Sequence, residues 1–225
     1  DVERSRGLGD VYKRQMYDRS FSSDVDMENR YVRTVVETSK SKKLGTVLKH
    51  FPGYGNNSDT HTGIAYDDRD YSEFENTDFK PFYQGIESGA DCILVSHNIV
   101  NCMDGEYPAS LSQKVHDILR NEFKFDGVIM TDDLIMDAIT DFTGDEAAAV
   151  TAAKCGNDLL CCSSVDTQYP AVLEAVKNGE IPETQVDASV KRILKWKQNL
   201  GIFNIDTYQK KAKSTEPTDT VGSEE

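Results

Sequence analysis

The feature that most constrains this chain is a fourfold rhythm. Continuous apolar runs at residues 44–49, 92–96, 127–131 and 158–162 are interleaved with segments of helical period. Each run is unbroken rather than alternating, as expected of strands buried on both faces of a parallel sheet. Helical segments fall at residues 24–42, where Val32, Val35 and Val36 supply an apolar stripe, and at 79–87, 111–123, 146–155, 169–177 and 183–200. The segment 111–123 reads as opened by Ser110 with Gln113 three positions on, a capping-box arrangement. Gly156 closes the segment before it, and Asn178 with Gly179 closes 169–177. In 183–200, Val186, Val190, Ile193 and Leu194 mark an apolar face, while Lys191, Arg192, Lys195 and Lys197 crowd the C-terminal half, where cations favour the helix dipole.

Strands alternating with crossover helices define repeated βα units around a parallel sheet. Four strands do not close a barrel, which takes about eight in roughly 250 residues. An open doubly wound sheet is the competing architecture. The placement of polar residues, taken up below, favours the barrel, so the expected fold is α/β: an incomplete (β/α)8 TIM-barrel with about the last four βα units, occupying residues 16–203. The N-terminal half of the barrel is expected to be missing, leaving open edges, and this chain alone is expected to aggregate or stay inactive. Residues 1–15 place Arg4, Arg6, Lys13 and Arg14 in an otherwise acidic chain without any periodic pattern. They are set aside as a non-native leader. Residues 204–225 are a polar tail of disordered composition.

Composition excludes some partners. The 225 residues carry a formal net charge of −14, and no basic stripe runs along any segment, which argues against a nucleic-acid surface. No apolar run approaches the roughly 20 residues of a membrane-spanning helix. The five cysteines, Cys92, Cys102, Cys155, Cys161 and Cys162, are odd in number and mostly in apolar contexts. They read as buried free thiols rather than a disulfide framework, which favours a reducing compartment while leaving a secreted or lipid-anchored parent open. The adjacent Cys161 and Cys162 lack the spacing of a metal or redox pair.

Chemistry-bearing residues follow the apolar part of three successive strands: Lys49 and His50, then Ser96, His97 and Asn98, then Asp132 and Asp133. In barrels the C-terminal strand ends form the active face, and charges buried at several such ends need one another or a ligand. After His50 comes a glycine-punctuated loop, Phe51 to Ser58, in which Gly53 and Gly55 permit positive φ, and then Asp59-Thr60-His61. An aspartate two positions from a histidine can fix its tautomer and raise the basicity of the other ring nitrogen. Taken alone, the pair equally fits a hydrogen-bonded turn. His97 either lines the pocket or satisfies a backbone carbonyl. His116, inside a helix, reads as a surface residue, and Phe79, Phe82, Tyr83 and Met136 as packing.

The segments KHFPGYG (residues 49–55), the Asp59 and His61 dyad, and GVIMTDDLIMDAI (127–139) together resemble glycoside hydrolase family 3. The dyad's placement on this loop is similar to the β-N-acetylhexosaminidase branch. DRSFSS (18–23) and DASVKRILKWKQNLGIF (187–203) extend the resemblance to residues 16–203. It implies a retaining exo-glycosidase acting on terminal non-reducing N-acetyl-β-hexosamine. Asp132 would be the nucleophile, and His61 the acid/base held by Asp59. Lys49, His50 and Arg19 would bind the sugar, and Asp133 would support the nucleophile from behind. The implied partner is an N-acetylglucosamine-containing glycan or muropeptide, and no cofactor or metal is called for. Three rivals stay open: a phosphorylase of the same family, a metal-dependent barrel hydrolase using His50, His61, His97 and Asp132, and a non-catalytic carbohydrate-binding protein. The metal reading lacks any His-x-His or HExxH pair.

Overall fold

The structure, a computed structural model, describes residues 21–55, 63–205 and 207. Helix α1 (Val25–Ser41) starts at Asp24, whose side chain accepts from the N–H groups of Asp26 and Met27. It leads into β1 (Val47–Phe51), and after the loop come the short β2 (Tyr66–Asp67), α2 (Tyr71–Asn76) and α3 (Phe79–Glu87). Then follow β3 (Cys92–Val95), β4 (Ile99–Val100), a 3-10 turn at Ala109–Leu111, α4 (Gln113–Asp117) running into a π-helical turn at Ile118–Glu122, and β5 (Val128–Asp133). The remaining elements are α5 (Asp137–Thr143), α6 (Asp145–Lys154), β6 (Leu159–Cys161), α7 (Val165–Lys177) and α8 (Glu183–Asn199).

The four main strands form one sheet in the order β1-β3-β5-β6, and every pairing in it is parallel. This is the expected βα succession, with a helix between each pair of neighbours. Two places break the ladder. The register slips between Lys49 and Phe51 on β1 and between Met130 and Asp133 on β5. Both lie at C-terminal strand ends, where an irregularity re-aims side chains. β2 and β4 form a separate parallel pair.

An aromatic cluster of Phe51, Phe74, Phe79, Phe82 and Phe123 packs with Ile93, Val95 and Ile129 beneath α2 and α3. A second core joins Leu111, Leu134 and Ile139 to the alanine face of α6 (Ala148, Ala149, Ala152). At the N-terminal strand ends, the buried Asp158 carboxylate accepts from Arg120 at 2.7 Å, Arg192 at 2.9 Å and the Ile129 N–H at 2.9 Å. That face is structural.

The core thins toward both sheet edges. The central β3 is fully buried, whereas β6 is half-buried throughout and Val47 on β1 is exposed, so burial on both faces holds for the interior strands and not for the edges. Beside β1, Leu44, Tyr31 and Val35 are exposed, and on the β6 side so are Val165, Tyr169, Val186 and Val190.

Local chemistry corrects three expectations. The cap of α4 is Ser112, whose hydroxyl accepts from the Val115 N–H at 3.2 Å, because Ser110 is taken up elsewhere in the core. His116 is buried, its Nδ1–H donating to the Ser112 carbonyl at 2.7 Å. Cys102 is exposed, and Cys161 and Cys162 are half-buried, leaving Cys92 and Cys155 as the buried thiols; burial pushes both of these up to about 12. Among the described residues no helix is long and apolar enough to cross a membrane.

Candidate active site

β1 and β5 carry the site. Lys49 and His50 occupy the irregular end of β1, where the Lys49–His50 and Phe51–Pro52 peptide bonds are cis. The Lys49 side chain is exposed and His50 is buried. Asp132 lies at the end of β5, and its Oδ2 is 3.8 Å from His50 Nε2, with the two side chains 23% and 4% exposed respectively. The separation is too long for a hydrogen bond, and it leaves a partly open carboxylate beside a buried imidazole. The other carboxylate oxygen, Oδ1, accepts from the Asp133 N–H at 3.0 Å.

Asp133 turns away from this pair. Its carboxylate accepts from the Ser163 hydroxyl, from the Ser163 N–H at 3.2 Å and from the Ile135 N–H at 3.2 Å, so it ties β5 to the loop after β6. His97 resolves to the second of its two readings. It is wholly buried, and it bonds to the Asp133 carbonyl through Nε2 at 3.0 Å and to Ser110 Oγ through Nδ1 at 2.7 Å. The same position of Ser110 explains why it does not cap α4.

The loop leaving β1 is held from two sides. Ser96 donates from both its N–H and its hydroxyl to the Phe51 carbonyl, each at 2.9 Å. Tyr54 is buried and meets the His50 ring edge-on, with centroids 5.4 Å apart. On the far side Arg69 grips the buried Asp67 through Nε and Nη2, reaches Asp78 through Nη1 at 2.8 Å, and stacks over Phe74 at 4.1 Å. Burial opposes the charge on Arg69, but the two carboxylates outweigh it and raise its pKa further. Gly53 and Gly55 press on this clamp at φ +133° and +51°; a Cβ on Gly53 would lie 2.1 Å from Asp78 Oδ1, and one on Gly55 would lie 2.7 Å from Arg69 Cζ. The expected positive φ is present, and the clamp supplies a second reason for glycine.

His50 and Asp132 therefore come together at the C-terminal strand ends, and Lys49 is exposed at the end of β1. Arg19, Asp59 and His61 lie outside the described residues. Sequence reasoning did not find Tyr54, Arg69, Asp67, Asp78 or Ser163. Of these only the Asp-x-Arg spacing of Asp67 and Arg69 offered a local signal, and Asp78 joins them nine residues further on. Among the described residues no group of three or more His, Cys, Asp and Glu could hold a metal.

These features define a class: a parallel α/β protein of barrel type, with a carboxylate and an imidazole facing one another at the strand ends where barrels keep their active sites. The chain matches the Glycosyl hydrolase family 3 N terminal domain over residues 10–196 and belongs to that family. It is 37% identical over 162 residues to a protein named beta-hexosaminidase from Hydrogenovibrio crunogenus, covering 71% of this chain and 45% of that protein. Among solved structures, a glycoside hydrolase family 3 beta-N-acetylglucosaminidase from Paenibacillus sp. str. FPU-7 is 29% identical with a TM-score of 0.81, over 90% of this chain and 39% of that one. A beta-glucoside phosphorylase is 26% identical with a TM-score of 0.77, over 82% of this chain and 36% of that one. The chain thus spans less than half the length of the curated relative it matches. Its fold is the α/β TIM-barrel type, of which the described residues form a four-stranded arc.

Proposed function

We propose that residues 16–203 belong to the catalytic barrel of a retaining exo-glycosidase that removes terminal N-acetyl-β-hexosamine from a glycan or muropeptide. The observation that carries this reading is the approach of His50 Nε2 to Asp132 Oδ2, 3.8 Å apart at the ends of β1 and β5. In the first step an Asp132 oxygen attacks the anomeric carbon, the glycosidic C–O bond breaks, and His61 gives its proton to the leaving oxygen. In the second, His61 takes a proton from water, the water oxygen bonds to the anomeric carbon, and the bond to Asp132 breaks; two inversions give net retention. Asp59 holds the His61 tautomer. Lys49, His50 and Arg19 bind sugar hydroxyls, and the scheme requires no cofactor or metal.

A second reading has its own support in the likeness to a beta-glucoside phosphorylase. A neutral histidine base does not repel an anion, so phosphate can replace water in the second step and release a sugar 1-phosphate. Hydrolysis is favoured by the likeness to proteins named beta-hexosaminidase and beta-N-acetylglucosaminidase.

The test is turnover of a chromogenic N-acetyl-β-glucosaminide and the matching β-glucoside by the complete gene product, with and without inorganic phosphate. Selective turnover of the N-acetyl sugar, independent of phosphate, supports hydrolysis. Phosphate-dependent formation of sugar 1-phosphate supports the phosphorylase. Sugar binding with no turnover of either substrate favours a binding protein.

A further inference from the structure

The peptide geometry around Asp133 connects a buried histidine to the proposed nucleophile. The Asp133 carbonyl is an acceptor only, so His97 Nε2 must carry the proton it shares with that oxygen at 3.0 Å. In the neutral imidazole Nδ1 is then the acceptor, and it receives the Ser110 hydroxyl at 2.7 Å. Ser110 is itself fixed: its N–H donates to the Ser96 carbonyl at 2.9 Å, and its carbonyl accepts from Asn157 Nδ2 at 2.8 Å and Cys155 Sγ at 3.3 Å. A single buried network therefore joins the end of β3, the 3-10 turn, the end of α6 and the end of β5.

We infer that His97 is a positioning residue for the nucleophile. By holding the Asp133 carbonyl, it sets the orientation of the residue whose N–H donates to Asp132 Oδ1 at 3.0 Å, which leaves Oδ2 on the His50 side. The inference rests on the reading of Asp132 as nucleophile. The β5–β6 register is irregular between Met130 and Asp133 and resumes at the Asp133–Cys161 pair; the Met136 N–H shares the Asp133 carbonyl at 3.1 Å, and His97 adds the side-chain donor that ties this carbonyl to the end of β3. The Ser163 contacts to the Asp133 carboxylate hold the same residue from the other edge.

The experiment is covalent trapping of the complete gene product with a 5-fluoro-N-acetylglucosaminyl fluoride, followed by intact mass and peptide mapping. The maximal trapping rate reads bond formation, and the half-saturating concentration reads binding. For His97→Leu the maximal rate is expected to fall about 10- to 100-fold, with half-saturation moved by less than about threefold, because displacement of a reacting group by ~1 Å costs on the order of 100-fold. His97→Gln, which keeps an N–H donor, is expected to recover most of the rate. Ser110→Ala, which removes only the donor to Nδ1, is expected to slow trapping several-fold in a protein that still folds, and it decides the matter where His97→Leu does not fold. An unchanged trapping rate in folded His97→Leu or Ser110→Ala overturns the inference, as does a loss confined to half-saturation. A label mapped in the unsubstituted protein to a residue other than Asp132 overturns the nucleophile reading and this inference with it.

Discussion

His50 Nε2 stands 3.8 Å from Asp132 Oδ2, and the imidazole is buried against Tyr54 while the carboxylate is partly open. The two come from strands that are not neighbours in the sheet, since β3 lies between β1 and β5. Both residues lie within the stretches where the register of their strands is irregular. His50→Ala in the complete gene product should lower kcat/KM for the N-acetyl substrate by about 2- to 10-fold, the value of a neutral hydrogen bond to a sugar hydroxyl at about 0.5–1.5 kcal/mol. Steady-state kinetics check this. Unchanged kcat/KM would remove His50 from the site.

The Arg69 clamp predicts a stability effect at a distance from the chemistry. Arg69→Ala removes the guanidinium that bridges Asp67, whose side chain is 2% exposed, and Asp78. Truncating one partner of a buried pair costs about 3–5 kcal/mol, so the denaturant midpoint should fall strongly. Arg69→Lys should restore little, because one ammonium does not reproduce the two-pronged grip on Asp67 together with the reach to Asp78. Equilibrium unfolding of the three proteins measures both effects.

How much of this was legible in the sequence depended on how local each signal was. Helix α3 appears at the expected residues because its aromatic spacing states the buried face directly. The first strand starts at Val47 rather than residue 44, since Leu44 is exposed at an open edge where apolarity does not imply pairing. Ser110 reads from the sequence as the cap of α4, but His97, from another strand end, engages its hydroxyl, and Ser112 caps the helix instead. His116, a polar residue inside a helix, reads from the sequence as a surface residue. It lies on the buried side of its helix with Val115 and Leu119 and reaches toward Cys155, with Nε2 4.0 Å from Sγ. The strand-end position of Lys49, His50 and Asp132 was legible because strand ends are marked by the apolar runs that precede them; Arg69 was missed because its partners are gathered by a loop, which leaves no period.

Burial of His116 gives the fold a pH dependence. Burial disfavours the imidazolium and lowers the pKa of His116 below the ordinary 6.5, against the opposing pull of the Ser112 carbonyl. The unfolded chain therefore binds this proton more readily than the folded one. The resulting stability is fully present above the unfolded pKa and is lost as pH falls from there toward the depressed folded value. Stability should drop as pH is lowered below about 6.5, and that part of the slope should flatten in His116→Gln. Urea unfolding at a series of pH values in both proteins checks it.

Azide rescue of Asp132→Ala is the direct test of the proposed role of Asp132 as the nucleophile that bonds to the sugar. With the carboxylate gone, azide enters the vacated space and attacks the anomeric carbon from the same side. The variant of the complete gene product is expected to lose hydrolysis of an aryl N-acetyl-β-glucosaminide, regain release of the aryl alcohol in azide, and yield the α-glycosyl azide by NMR. Hydrolysis by Asp132→Ala in plain buffer at the rate of the unsubstituted protein would contradict it.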